Sequence, residues 1–378
     1  MIRHAPTAAA LTRASRSRRP VLGLGAALVG AAMFALATPE APAQVDTIGE
    51  DRFVMDREGV KVSVPIYTSH DFDKGSEEVT IAFIFLHGTL RNAGRYMDWG
   101  VAATERAEAT GHTVVVSPQF LMEVDINEHG LSNDVLFWTN NGWKQGDLSR
   151  RSTEENPRSV RVSSYEVMDE ILLRLAASFP NLERVVVAGH SAGGQFVNRY
   201  AAGSMAEETL VNTTTRRPIS VRYIVSNPSS YVYICERRPD AEGGFSVPEN
   251  DDCENFDRYK YGLSDGLNAY MNRAGVDRIR VNLTTRDVVF LKGAEDNDPE
   301  ARYLDQSCPA MAQGTNRFDR GIAYHRYLAE LYGAQHEFIV VPGVGHSASR
   351  MFGSEGGRRA IFHSAAPQTQ HQDEASSD

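Results

Sequence analysis

Six apolar runs of strand length recur along the chain, and the segments between them carry apolar residues at helical spacing. The runs are Val79–Leu86, His112–Val116, Arg184–Ala188, Val221–Val225, Val288–Leu291 and Glu337–Val341. Continuous rather than alternating hydrophobicity marks strands covered on both faces, the situation of a parallel sheet. Helical spacing appears over Tyr96–Thr110, Gln195–Ala202 and Arg320–Leu331. It is clearest through Tyr165, Met168, Ile171, Leu172 and Leu175, with Ser163 or Ser164 as N-cap and Pro180 as stop. Strands alternating with helices predict an α/β fold: a mostly parallel sheet with helices on both faces. Residues 44–80 read as short strands and turns, Val60–Val64 alternating at period two. Residues 228–280, rich in Tyr, Gly, Asp and Asn, break the rhythm and read as a lid insertion in one domain spanning 44–363. The polar residues 364–378 are expected to form a disordered tail.

One of these strands runs directly into Gly189-His190-Ser191-Ala192-Gly193, and a helical segment follows. So tight a strand-to-helix turn forces its central residue into an unfavourable backbone conformation, and the flanking glycines relieve crowding there. The turn presents Ser191 Oγ above the sheet edge, at the positive end of the following helix. A hydroxyl needs a base within hydrogen-bond reach to act as a nucleophile at neutral pH. His346, in Pro342-Gly343-Val344-Gly345-His346-Ser347, stands just after the last apolar strand in a glycine-flanked loop suited to that role. His325 and His336 fall on or beside a helix, His363 and His371 lie near the tail, and His4 is in the N-terminal segment. His190 adjoins the nucleophile and reads as structural or pocket-lining. The base in turn needs an orienting carboxylate. Asp296, three residues beyond Gly293 on the loop after Val288–Leu291, is the first choice, Asp298 the second and Glu295 the third. Donors for a developing oxyanion are expected from the backbone N–H groups of Thr89, after His87-Gly88, and of Ala192, after the nucleophile. His87 itself reads as a hydrogen-bonder that holds its loop.

Together these residues resemble the α/β-hydrolase superfamily. The resemblance rests on the strand–elbow–helix at Ser191, on His87-Gly88 after an earlier strand, and on the chain order Ser191, Asp296, His346. It covers residues 60–362 and implies the fold, a serine-esterase-type mechanism and a Ser191–His346–Asp296 triad. Only one glycine follows His87, so the chain is more similar to secreted esterase, lipase and polyester-depolymerase branches than to the HGGG type. No cofactor and no metal is implied, and three cysteines at these spacings do not make a zinc site. Trp138, Trp143 and Tyr231, at the ends of strands where such folds bind ligands, are candidate substrate-binding residues; packing of lid against body is the alternative.

Composition narrows the setting. The 378 residues, 42% hydrophobic and 23% charged, are those of a globular chain with a sizeable core. With 39 basic against 49 acidic residues and no basic cluster in the body, nucleic acid is not an expected partner. The first 20 residues hold five Arg and no acid, and an apolar run, Val21–Ala37, then Ala41-Pro42-Ala43 follow. That pattern predicts a signal peptide over 1–43, an exported protein in the periplasm or outside the cell, and no membrane span after cleavage. Ser17-Arg18-Arg19 leaves the twin-arginine and general secretory routes both open. Removing five Arg and Glu40 would take the counts from 39 and 49 to 34 and 48, a net of −14, which steers weakly toward a neutral or cationic substrate. Cys253 and Cys308, in polar loops, are the expected disulfide pair, with Cys235 a buried thiol. The expected function is an exported serine hydrolase of small or polymeric carboxylic esters. The alternatives are a peptidase or amidase with the same triad, or a non-catalytic binding protein of the same fold; the last has no need of nucleophile, base and acid together.

Overall fold

In a computed structural model, which describes residues 45–248, 253 and 255–363, all six apolar runs become strands of one sheet. The expected signal peptide over 1–43 and the tail over 364–378 lie outside the described residues. The strands are β1 Asp51–Arg57, β2 Val60–Thr68, β3 Ile81–Leu86, β4 Thr113–Pro118, β5 Arg184–His190, β6 Ser220–Ser226, β7 Asp287–Gly293 and β8 Glu337–Val341. They lie in the order β1-β2-β4-β3-β5-β6-β7-β8. β1 and β2 form an antiparallel hairpin, β2 is antiparallel to β4, and every other pairing is parallel. The large sheet and its helices are thus the α/β architecture that the alternation predicts.

Successive side chains of a strand point to opposite faces, and both faces of this sheet are covered. Ala82, Ile84 and Leu86 of β3 join the larger core with Val185 and Val187 of β5. Phe83 and Phe85 join a second core with Val186 and Ala188. Helices α2 (Ser164–Ser178) and α3 (Ala192–Gly203) cover the first face, and α1 (Ala93–Arg106) and α6 (Glu355–Phe362) the second. Each large apolar side chain buried this way contributes about 1.5–3 kcal/mol, so the centre of the sheet is a stiff support for its loops. α2 begins as the sequence indicates: Ser163 accepts the Tyr165 N–H, and Glu166 reaches back to the Ser163 N–H at 2.8 Å, closing a capping box.

The described residues of 228–280 contribute no strand to the main sheet; they hold a two-residue ladder (Arg238–Pro239 with Phe245–Ser246) and a helix, Ala269–Ala274. A further helix, α4 (Val276–Thr285), leads into β7, and α5 (Arg317–Tyr332) connects β7 to β8. Inside the insertion Arg238 pairs with Asp257 at 2.7 Å and lies over the rings of Tyr233 and Phe256. Cys253 is bonded to Cys308, the pair expected from the sequence, which ties the insertion to the chain beyond β7. Cys235 is half-buried, and the Tyr327 hydroxyl donates to its sulfur.

Candidate active site

The site is built on the C-terminal ends of β3, β5, β7 and β8. Ser191 sits between β5 and α3 with φ 59° and ψ −116°, a left-handed conformation rare for a residue with a Cβ. Two hydrogen bonds hold it there: Ser191 N–H donates to Ser226 O at 2.9 Å, and Gln195 N–H donates to Ser191 O at 3.0 Å. The elbow also depends on missing side chains. A Cβ at Gly189 would run into the backbone of Gly193, and one at Gly193 into the carbonyl oxygens of Leu86 and His87. Gly193→Ala is therefore expected to push α3 away from the loop after β3. The expected cost is about 1–3 kcal/mol of stability, read as a lower urea midpoint together with lost hydrolysis. An unchanged midpoint would mean that the approach tolerates a methyl group.

The structure brings Ser191, His346 and Asp296 into one line. Ser191 Oγ lies 2.9 Å from His346 Nε2, and His346 Nδ1 lies 2.7 Å from Asp296 Oδ2. A carboxylate only accepts, so Nδ1 carries the proton and donates to Asp296. Nε2 then has its lone pair free to accept the Ser191 O–H. Of the three acids considered on the loop after β7, Asp296 alone faces the histidine. Asp298 is exposed and caps the Glu300 N–H, and Glu295 is exposed. Asp296 is 4% exposed, and Arg317 Nη1 lies 3.5 Å from its other oxygen, supplying a counter-charge. Arg317, on α5, is itself positioned by Ser229 Oγ and Arg302 O.

Of the two expected oxyanion donors, Ala192 follows Ser191 in the chain and Thr89 follows Gly88, which approaches Ser191 in space. A Cβ on Gly88 would lie 3.9 Å from Ser191 Cβ, which places the Gly88–Thr89 turn against Ser191. Among the described residues neither the Thr89 nor the Ala192 N–H has a hydrogen-bond partner. His87 holds this turn, as its sequence context suggests. Its Nε2 accepts the Phe120 N–H at 2.9 Å, so Nδ1 carries the proton and donates to Gly88 O at 2.8 Å. Full burial lowers His87 to about 4 and keeps it neutral. His190 is also neutral: burial, and then the neighbouring His346, hold it well below its ordinary value, with its ring centroid 4.5 Å from that of His346.

The three aromatic residues expected to bind substrate do not reach the surface. Trp138, Trp143 and Tyr231 are buried to 1% exposure or less. Trp143 stacks on Phe120, with centroids 5.9 Å apart and planes at 5°; Trp138 meets Phe120 edge-on and donates to Asp147 O; Tyr231 stacks on Tyr324 at 4.3 Å. Rings this large stabilise most when both faces are removed from water. Packing of the connecting segments against the body, the alternative reading, is where they fall.

Other polar groups carried no strong signal in the sequence. Gln195 and Arg199 lie one and two turns beyond Ser191 on α3, and both are buried. Their i+4 and i+8 spacing from Ser191, on a helix whose one other non-aromatic polar side chain is Asn198, is the trace that could have marked them. Lys292, on β7, is fully buried, its Nζ has no hydrogen-bond partner among the described residues, and it lies 5.0 Å over the Tyr231 ring. Burial drives it down from 10.5 to about 7. Between those values the unfolded chain holds the proton and the folded chain does not, so stability falls as pH drops through that window and the penalty is complete below about 7. Lys292→Met is expected to raise stability at pH 7 by on the order of a few kcal/mol, with the gain shrinking as the pH approaches 10. Urea titrations at both pH values check this, and a less stable variant at pH 7 would refute it.

Among the described residues no three His, Cys, Asp or Glu side chains converge as metal ligands, and no helix is long and apolar enough to cross a membrane. The model of the alpha/beta hydrolase family matches residues 83–355. A solved poly(aspartic acid) hydrolase-1 from Sphingomonas sp. KT-1 is 21% identical, with 83% of this chain and 99% of that chain covered and a TM-score of 0.52. A poly(3-hydroxybutyrate) depolymerase from Bordetella parapertussis is 20% identical over 80% of this chain and 87% of that chain, with a TM-score of 0.49. No curated protein matches the chain. At 21% identity the likeness to the poly(aspartic acid) hydrolase shows a shared fold and carries no substrate with it.

Proposed function

The chain belongs to the α/β-hydrolase family, and we propose that within it this protein is a serine hydrolase of carboxylic esters. The observation that carries the reading is the unbroken line from Ser191 Oγ through His346 to Asp296, beside two amides without partners. In this reading Ser191 attacks the acyl carbon while His346 Nε2 takes its proton, and Asp296 holds the imidazole in the required tautomer and stabilises the imidazolium that forms. The carbonyl oxygen, negative in the tetrahedral intermediate, turns toward the N–H groups of Thr89 and Ala192, where the first turn of α3 adds its partial positive charge. His346 then protonates the departing alcohol, leaving an acyl-enzyme that water opens by the same steps in reverse. The basic, then apolar, then Ala41-Pro42-Ala43 pattern of the first 43 residues supports export to the periplasm or beyond. That N-terminal pattern and the triad order are the sequence support; the relay distances are the structural support.

A panel of p-nitrophenyl esters against p-nitroanilides of the same acyl groups tests the bond class. Turnover of esters well above anilides is the expected result. A preference for anilides would move the reading to an amidase with the same triad.

A further inference from the structure

Three cations, Lys144, Lys260 and Arg199, are drawn together near the loop after β3, with two carboxylates, Asp305 and Asp147, among them. Lys144 follows a turn tied to the oxyanion loop: Thr89 O–H donates to Asn140 Oδ1 at 3.3 Å, and Lys144 Nζ donates to Asn141 Oδ1 at 3.3 Å. Arg199, two turns beyond the nucleophile, donates to Gln195 O at 3.1 Å, to Ser230 Oγ at 2.9 Å and to Lys260 O at 3.1 Å, all neutral acceptors. Lys260 lies 3.4 Å from Asp305; the second acid, Asp147, accepts from Gln145 and Asn268, and the three cations still exceed the acids by one. Arg91, close by, is matched separately by Asp125 at 2.7 Å. Lys144 is 6% exposed and Arg199 fully buried. Burial, then the charges of Lys260 and Arg199, push the Lys144 ammonium down to about 7.

A chain with ten more acidic than basic residues could have matched these charges and does not. Burying unmatched cations disfavours the folded state, so such clusters persist where a ligand supplies the missing charge. The two ammonium groups have spare donors: each can make three hydrogen bonds, and each has one acceptor among the described residues. The guanidinium, which would suit a phosphate, is already occupied by neutral acceptors. Two point donors suit the two oxygens of a carboxylate. We propose that the substrate of this site carries a carboxylate beside its scissile ester, held between Lys144 and Lys260. The inference rests on the serine-esterase reading and adds the substrate class. It also reverses the weak steer from net charge, because the field at the cleft and not the total decides what is drawn in.

The carboxylate can sit on the acyl or on the leaving side, and two substrate pairs separate these. One is p-nitrophenyl monoglutarate against p-nitrophenyl valerate; the other is 4-acetoxybenzoate against 4-acetoxybenzamide. In at least one pair the anionic member should have a kcat/KM at least tenfold higher. The gap should narrow to under threefold in Lys144→Met, with Lys260→Met as the second variant should the first not fold. Equal or better turnover of the neutral member in both pairs overturns the proposal, as does a preference that survives both substitutions. Calorimetric binding of monomethyl glutarate and methyl valerate to Ser191→Ala protein gives a readout that needs no chemistry. Preferential binding of the anion without any turnover by the unsubstituted enzyme would set aside the esterase reading and keep the anion site. No preference for the anion, or no binding of it, overturns the inference itself.

Discussion

Ser191→Ala is expected to lower kcat/KM for ester hydrolysis by about 10⁴- to 10⁶-fold, the range found when a triad nucleophile is removed. The argument is geometric. Ser191 Oγ is the hydroxyl that His346 Nε2 reaches, at 2.9 Å, and alanine leaves the imidazole with nothing to deprotonate. The fold should hardly notice. The two backbone bonds that fix the elbow, to Ser226 O and from the Gln195 N–H, involve no side-chain atom of residue 191, and alanine keeps the same Cβ in the same left-handed conformation. Circular dichroism melts should therefore superimpose, while p-nitrophenyl ester turnover falls to the level left by the oxyanion donors and binding. Turnover within tenfold of the unsubstituted protein would remove Ser191 from the chemistry.

Asp296→Asn should cost nearly as much, about 10³- to 10⁴-fold in kcat, for a different reason. The carboxylate can only accept, and that is what places the proton on His346 Nδ1 and leaves Nε2 as a base. An asparagine amide can turn its NH₂ toward Nδ1. The imidazole then carries its proton on Nε2, facing Ser191, and cannot take the hydroxyl hydrogen. Arg317 sharpens the prediction, since its guanidinium, 3.5 Å from the other carboxylate oxygen, favours an asparagine that offers its carbonyl to Arg317 and its NH₂ to the histidine. Measured kcat should fall with KM little changed. An Asp298→Asn control, altering an exposed residue that makes no contact with His346 and keeps an oxygen for the Glu300 N–H, should retain activity; equal losses in the two variants would mean that the loop rather than the contact matters.

The parts of the fold legible in the sequence are those where local pattern and global position agree. β5 and β7 lie in the sheet interior, so their apolar runs are continuous, and β5 runs into a turn whose glycines must be glycines because backbone lies against them. Asp296 was harder: three acids crowd one loop, and only the direction of the chain beyond Gly293 separates the one that turns inward. The aromatic residues misled because Trp138 and Trp143 stand in polar company, Thr139-Asn140-Asn141-Gly142, that reads as surface. Their burial is created by Phe120 and Phe196, which come from other parts of the chain. Lys144 was hidden by the same means. A lysine in an Asn- and Gly-rich turn looks solvated, and it is enclosed only by the approach of the insertion: Tyr259 donates its hydroxyl to Gln145 O, next to the lysine. Pattern reports what each segment wants; it does not report which distant segment arrives to cover it.

The central claim is that Ser191 is a nucleophile activated by His346. Treatment of the folded protein with a fluorophosphonate, followed by peptide mass spectrometry, tests it most directly. A single adduct on the peptide containing Ser191, lost in His346→Ala protein and after urea unfolding, is the predicted result. An unlabelled Ser191 in folded protein, or an adduct that forms equally well without His346, would contradict it.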